Sequence, residues 1–454
     1  MMSSSINYFR ERIRNAHPRT RKAQLNTVLG LLIKGGGMAI SLLLVPLTID
    51  YLSTERYGTW LTISSIVTML TFFDIGIGNG LRNKLSEAIS KQDINLARSY
   101  VSTAYLIFGI LQLFFIVVFL LIFRFVPWQQ ILNTTIDNGQ LQFVVLLTAI
   151  GIAVKLVMDI VSYVLFALQE SSQASFIALL SNVVILLGTY LLTHYLHGNL
   201  KYLAVVTAVS PILVIGISSV VLYKSRLSLY KPTLRMVDFK YAKSLLSLGY
   251  KFFVIQLAVI ILFYTDNLII TQLFGSSEVT VYNVAFRYFN AANTLFMIAI
   301  TPYWSAFTEA YAKNDTIWMK KTYYYLQKLW VGLVVGIIIM VLLSNTIYSL
   351  WVGSRVVVPI QLSICMGIFV IISCWNSVVV AVANGVGKIQ FQLYYSVFSA
   401  IVNVPLAVLF GKMLGMGSAG VILASGVSLL FGSVFGGIQA YKILSGTAKG
   451  IWNK

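Results

Sequence analysis

The chain has 454 residues, 58% of them hydrophobic and 10% charged, with a formal net charge of +19. A soluble domain is about a quarter charged, so this composition excludes one. The basic excess would suit nucleic acid, but its placement along the chain, described below, excludes that partner as well.

A bilayer core of about 30 Å takes roughly 20 apolar residues per helix, and such windows recur throughout the sequence. Backbone polar groups in lipid must be satisfied within their own segment, so helices are predicted. The runs are too long and too uniform for the alternating strands of a barrel. Twelve spans are expected, at 25–48, 57–80, 100–123, 141–166, 174–193, 202–223, 248–273, 279–303, 325–345, 358–383, 390–411 and 416–441.

The chain opens with a polar, Arg-rich stretch, YFRERIRNAHPRTRKAQ. The apolar run behind it is full length and has no small-residue cleavage pattern, so it reads as an uncleaved first span. Lys34, Ser41 and Thr48 recur along that span every seven residues. The second span ends in FFDIGIGNGLRNKLSEA, residues 72–88. Asp74 sits about two turns inside the membrane, Gly76, Gly78 and Gly80 loosen the helix, and Arg82, Asn83 and Lys84 form a polar, cationic step. One reading is a terminus built for close packing, with Asp74 paired to Arg82 or to a neighbouring helix. The other is a flexible gate with a cationic lip. In the fourth span Thr148, Lys155, Asp159 and Ser162 share a helical face. Lys155 and Asp159 either neutralise each other at i, i+4 or face a wet passage. Glu170, in the turn LQESSQ, is expected to be solvated. The fifth span carries Ser175, Asn182 and Thr189.

The segment KPTLRMVDFKYAKS, residues 231–244, follows the sixth span and is expected to form a helix on the membrane surface. In the seventh span Asp266 is a cap, a partner of Arg287 on the next helix, or a protonatable coupling site. In the eighth, Asn283, Arg287, Asn290 and Thr294 line one face. A charged group near a helix centre costs about 2.5–3.5 kcal/mol on insertion scales, so Lys34, Lys155 and Arg287 should face water or a partner. Lys34 could also snorkel to the interface. Cys365 and Cys374 lie on the tenth span about 13 Å apart, too far for a bridge. The string GIGNG lacks the spacing of a dinucleotide fingerprint, and GVGK lacks the upstream glycine of a phosphate loop. No cofactor and no metal are expected.

The chain reads as one unit written twice. SEAISKQD (86–93) falls on TEAYAKND (308–315) at a constant shift, with Glu87/Glu309, Ala88/Ala310, Lys91/Lys313 and Asp93/Asp315 coincident. Six spans separate the copies, so both keep one orientation, a parallel repeat. The expected fold is therefore all-α and polytopic. Two six-helix lobes, 1–223 and 248–454, joined by a cytoplasmic linker at 224–247, would enclose a central cavity. Most of the 33 lysines and arginines fall in alternate segments beginning with the N-terminus; only Arg56, Arg124, Lys201, Arg355 and Lys412 fall in the opposite loops. This is the positive-inside bias, and it places both termini in the cytoplasm.

The run FDIGIGNGLRNKLSEA, after VPLTIDYLSTERYGTW, resembles the Wzx-type polysaccharide flippases of bacteria, members of the multidrug/oligosaccharidyl-lipid/polysaccharide exporter superfamily. The resemblance is specific in wording only over residues 44–98. It implies a multi-pass protein of the inner (cytoplasmic) membrane. It implies a substrate of undecaprenyl-diphosphate-linked oligosaccharide, moved to the outer leaflet for O-antigen, capsule or exopolysaccharide synthesis, and coupling to a proton or sodium ion. Membrane lipids, a polysaccharide polymerase and a chain-length regulator are the implied partners. Lys34, Lys155, Arg287, Asn283 and Asn290 become substrate contacts. Asp74, Gly76, Gly78, Asn79, Gly80, Arg82, Asn83 and Lys84 become the gate, and Asp159 and Asp266 the coupling carboxylates. Flipping breaks no bond, so no catalytic constellation is expected. Two other classes stand beside this one. A drug or cation antiporter should line its cavity with carboxylates. A membrane glycosyltransferase or polymerase should carry a large outer loop with paired acids, and the loop near 124–140 offers only Arg124 and Asp137.

Overall fold

The computed structural model describes residues 18–69, 77–168, 170–242 and 264–453. In the first half the helices are α1 (Pro18–Leu52), α2 (Thr54–Thr68), α3 (Ile77–Ser90), α4 (Ile94–Phe123), the short α5 (Trp128–Ile131), α6 (Asn138–Met158), α7 (Ile160–Ala167), α8 (Ser171–Tyr195) and α9 (Leu200–Lys224). The second half holds α10 (Asp266–Phe274), α11 (Ser276–Ala312), α12 (Thr316–Trp351), α13 (Ile360–Gly385), α14 (Gln390–Val408) and α15 (Ser418–Ser445). Among the described residues nine helical stretches are long and apolar enough to cross a membrane, and the protein is a multi-pass, all-helical membrane protein. Of the remaining expected spans, the second crosses 70–76 and the seventh crosses 243–263, outside the described residues. The eighth is α11, a continuous helix of 37 residues that carries a polar face.

Helix starts recur at one interval. Thr54 and Ser276, Ile94 and Thr316, and Asn138 and Ile360 each stand 222 positions apart. The matched words SEAISKQD and TEAYAKND are the stop and restart of two helices. Gln92 (φ 58°) and Asn314 (φ 55°) take the left-handed conformation that ends a helix. Asp93 and Asp315 then cap the next one, accepting from the N–H groups of Leu96 at 2.9 Å and Trp318 at 3.0 Å.

Helices pack mainly within their own half; α2 against α10 and α11, and α1 against α11, join the two. These cross-contacts gather at one end of the molecule. Gly58 touches the carbonyl of Ser276, where any side-chain carbon would collide. Thr280 Oγ1 donates to the carbonyl of Thr54 at 2.7 Å. Thr54 and Gly58 occupy the positions that Ser276 and Thr280 occupy in the second half, so the contact is reciprocal, as across a two-fold axis. Farther out, Arg355 pairs with Asp50. The matching positions, Asn133 and Gln272, also bridge the halves: Asn133 donates to the carbonyl of Thr271 at 2.9 Å, and Gln272 to that of Ile131 at 2.6 Å. One apolar core runs from this end on through the second half, from Val45 to Leu444, whereas the far end of the first half keeps a separate core around Leu81, Phe108 and Leu165.

The linker differs from expectation. Its described part, 225–242, makes three short 3-10 turns at Ser228–Tyr230, Leu234–Met236 and Phe239–Tyr241. Pro232 interrupts the run, and α4 claims the backbone. Thr233 N–H donates to Ser102 Oγ at 3.0 Å and Asp238 N–H to Thr103 Oγ1 at 3.1 Å. Those bonds tie the chain to α4 and leave no continuous helical ladder. Glu170 is likewise not solvated. It is buried and receives Arg226 at 2.8 Å, which ties the turn after α7 to the start of the linker.

Candidate functional site

Beyond these contacts α1 and the second half meet through polar groups around Arg287. Arg287 on α11 donates through Nη1 to the carbonyl of Ser41 at 2.9 Å and to its hydroxyl at 3.1 Å. Arg287 lies eleven residues from the start of α11, about 16 Å along the helix, so it forms the floor of the seal. Lys34 stands two turns from Ser41 on α1, about 10 Å away, and is exposed. Trp351 Nε1 donates to the carbonyl of Leu42 at 2.9 Å beside the same contact. The first-span and eighth-span stripes thus meet through Ser41 and Arg287.

Lys155 is exposed at the edge of a cavity of about 160 Å³ between α2, α6 and α9, with Ser64, Thr68, Thr148 and Thr207 on its walls. Asp159 occupies the break between α6 and α7, and its carboxylate accepts from Ser162 Oγ at 2.6 Å. The ion pairs among the described residues are Lys84–Glu87, Lys91–Glu87, Arg226–Glu170, Lys240–Asp238 and Arg355–Asp50. Lys155 and Asp159 make no direct salt bridge. Lys34, Lys155 and Arg287 all lack a carboxylate partner within this set.

Asp266 is buried at the start of α10. It does not pair with Arg287. Tyr282 donates its hydroxyl to one carboxylate oxygen at 2.7 Å, and Ser425 Oγ lies 3.3 Å from both oxygens. Asn403 donates to Ser425 Oγ at 3.0 Å, and its own Oδ1 is buried without a partner among the described residues. A carboxylate, two hydroxyls and an orphaned amide oxygen thus converge inside the second half. A buried carboxylate with only neutral donors is stable when it holds a proton or a cation. The sequence marked Asp266 but not Tyr282, Asn403 or Ser425. The intramembrane amide of Asn403 was a usable signal; the distant Ser425 was not.

Two expected contacts lie elsewhere. Asn283 is buried and engaged: its Nδ2 donates to Asn267 Oδ1 at 2.7 Å, and Asn267 donates to Ser65 Oγ at 2.6 Å. It belongs to the seal and not to a free lining. Asn290 Oδ1 accepts from Asn293 at 3.1 Å, one turn past Arg287.

Of the gate residues, Asp74 and Gly76 lie outside the described residues, as does the side chain of Asn79. Gly78 is buried in α3, and a side chain there would run into the Tyr163 ring. That is close packing between α3 and α7. Gly80 is buried on the same helix. Arg82 is exposed, with its guanidinium over the Phe166 ring at 5.8 Å. Asn83 is exposed, and Lys84 is held by Glu87 at 3.1 Å.

The family model described as polysaccharide biosynthesis protein matches residues 25–308, and the chain belongs to that family. The solved structures it resembles are transporters. An inward-facing multidrug resistance MATE transporter of the MOP superfamily has 16% identity and a TM-score of 0.69 over 93% of this chain and 96% of its own. An outward-facing transporter of that kind has 15% identity and a TM-score of 0.66, over 94% and 96%. A MOP-superfamily transporter from Pyrococcus furiosus, described for the reversed polarity of its binding pocket, has 15% identity and a TM-score of 0.65, over 96% and 98%. The fold is that of MOP-superfamily transporters. Sequence comparison with curated proteins gives no match.

Proposed function

We propose that this member of the polysaccharide biosynthesis family is a flippase. It moves an undecaprenyl-diphosphate-linked oligosaccharide from the cytoplasmic to the outer leaflet of the bacterial cytoplasmic membrane, by ion-coupled alternating access. The observation that carries this reading is the set of three intramembrane cations, Lys34, Lys155 and Arg287, none with a carboxylate partner among the described ion pairs. Such groups are costly in lipid unless water or an anion meets them. A diphosphate headgroup with an oily tail is an anion of the required kind. Its head would sit between the halves while its tail stays in the bilayer. On the positive-inside expectation the sealed end faces outward, so the described state would receive substrate from the cytoplasm. Asp266 would carry the coupling proton or sodium ion, with Ser425 and Asn403 completing its site. No bond of the glycan is broken.

A drug or cation antiporter of the same fold is the second reading. It would need carboxylates turned to the passage, but Asp266 is buried among Tyr282 and Ser425 and Asp159 is met by Ser162.

Arg287→Glu tests the choice. A like charge placed against an anionic head costs several kcal/mol, so flipping of a lipid-linked oligosaccharide in vesicles should fall by more than about 100-fold while the protein still inserts. Undiminished flipping would remove Arg287 from the substrate path; a gain in efflux of cationic dyes alone would favour the antiporter.

A further inference from the structure

The linker between the halves carries a surface that transport itself does not explain. Leu229, Leu234 and Phe239 are 56%, 82% and 62% exposed, five residues apart, in a segment whose backbone is pinned to α4. Thr233 and Asp238 bond to Ser102 and Thr103, eight and nine residues from the start of α4 at Ile94. Ser102 and Thr103 stand two and three residues inside the apolar run 100–123, where the expected span begins and the boundary between headgroups and acyl chains falls. Leu227 beneath is fully buried, and the Tyr100 and Tyr241 rings meet at 4.8 Å, so the segment is fixed and its apolar side chains still point outward. A crevice of about 260 Å³ lies between it and α4, lined by Tyr105, Leu106, Pro232 and Leu234.

Charge is interleaved with these anchors. Arg226 is taken by Glu170 and Lys240 by Asp238 at 2.6 Å. Lys231 and Arg235 are exposed and have no acidic partner among the described ion pairs. Apolar groups at acyl depth beside unpaired cations match an interfacial anchor on anionic lipid. The surface also continues into the lipid-facing side of α4, where Ile110, Leu113 and Phe114 are exposed.

The geometry points to the 225–242 strap as a binding surface for anionic phospholipid, with Leu229, Leu234 and Phe239 sunk into the leaflet and Lys231 and Arg235 holding phosphate headgroups. The strap thereby fixes the edge of the first half to the membrane while leading the chain to the second. The inference needs only the membrane-spanning fold and survives any failure of the flippase reading.

The test uses the full chain in nanodiscs, with an environment-sensitive fluorophore on Leu234→Cys. Native Cys365 and Cys374 are buried, so labelling is selective. Thr135→Cys, exposed in the sealed-end loop, is the aqueous control. The probe at 234 should be quenched by spin-labelled lipid and shielded from iodide, the reverse of the control. Phosphatidylglycerol should be preferred over phosphatidylcholine, and Lys231→Gln with Arg235→Gln should weaken that preference on the order of thirtyfold. Both residues are exposed and unpaired, so the double variant should fold. Iodide quenching at 234 equal to that at 135 would overturn the anchor. Lipid quenching indifferent to headgroup charge, and unchanged in the double variant, would overturn the assignment to anionic lipid.

Discussion

The two halves share their punctuation and divide their chemistry. Both break and restart at Gln92–Asp93 and Asn314–Asp315, and both give the seal the same pair of positions, Thr54 with Gly58 and Ser276 with Thr280. The ionisable groups inside the membrane spans do not repeat. Where the first half has Lys155 and Asp159, the second has Ser377 and Ala381; where the second has Asp266 and Arg287, the first has Leu44 and Ser65. Caps and close contacts hold each half together and must recur. A charge inside a membrane is kept only where something uses it. A bundle built from two like halves is therefore chemically one-sided. Among the described residues only the second half buries a carboxylate with no cation against it, Asp266, whereas the buried Glu170 of the first half is met by Arg226; the two halves also place their cations at different levels.

The comparison is broken most severely at Asp266. Asp266→Asn keeps an oxygen for the Tyr282 hydroxyl and should fold, but it holds neither a proton nor a cation in the same way. Transport in vesicles should lose its response to a collapsed proton or sodium gradient. Asp266→Leu, which writes the first half's residue into the second, should also destabilise the fold. It strands the buried Tyr282 hydroxyl at a cost of about 1–3 kcal/mol. If Asp266→Asn responds to the gradient as the parent does, the division of labour drawn here fails.

The seal offers a smaller, structural test. Gly58→Ala pushes a carbon into the Ser276 carbonyl, an overpacking worth about 1–3 kcal/mol. Thr280→Ala, at the matching position, only removes the hydrogen bond to Thr54, about 1 kcal/mol. Thermal midpoints should fall in that order. Equal effects would mean that the Ser276 carbonyl yields to the added carbon and that the approach at Gly58 is not tightly packed.

Much of this was legible in the sequence, for identifiable reasons. Spans such as α4 and α6–α7 declare themselves by hydropathy, a local property. The repeat was visible because helix caps are local too: Asp93 and Asp315 act through residues three positions away. The partners of Asp266 lie 16 and 159 positions off, at Tyr282 and Ser425, and no spacing rule reaches the second. Gly58 looks like any glycine until Ser276 is laid against it. Asn283 sits on the same face as Arg287 in sequence, yet Asn267 captures its amide. The described part of the linker forms no continuous helix because Ser102 and Thr103, more than a hundred residues earlier, compete for its backbone.

The smallest expected effect separates the two acidic turns. Lys91 at 2.8 Å and Lys84 at 3.1 Å flank Glu87, and hydrogen bonds from Lys91 first and then Lys84 hold its carboxyl down from 4.5 to about 2. Glu309 has Lys313 four residues on but Ala306 where the first half has Lys84. A carboxyl lowered in the folded state stabilises the fold above its ordinary value and loses that contribution as pH falls through the folded one. The window here runs from about 4.5 down to about 2. Because the group is exposed to solvent, the contribution is small. Thermal midpoints of the parent and Glu87→Gln should differ slightly at pH 7, and the gap should narrow steadily as the pH is lowered from 5 to 3. Lys84→Ala, which copies the second half, should leave much of the gap in place because Lys91 is the nearer donor. A gap that stays constant down to pH 3 would mean that Glu87 supports its turn through something other than its charge.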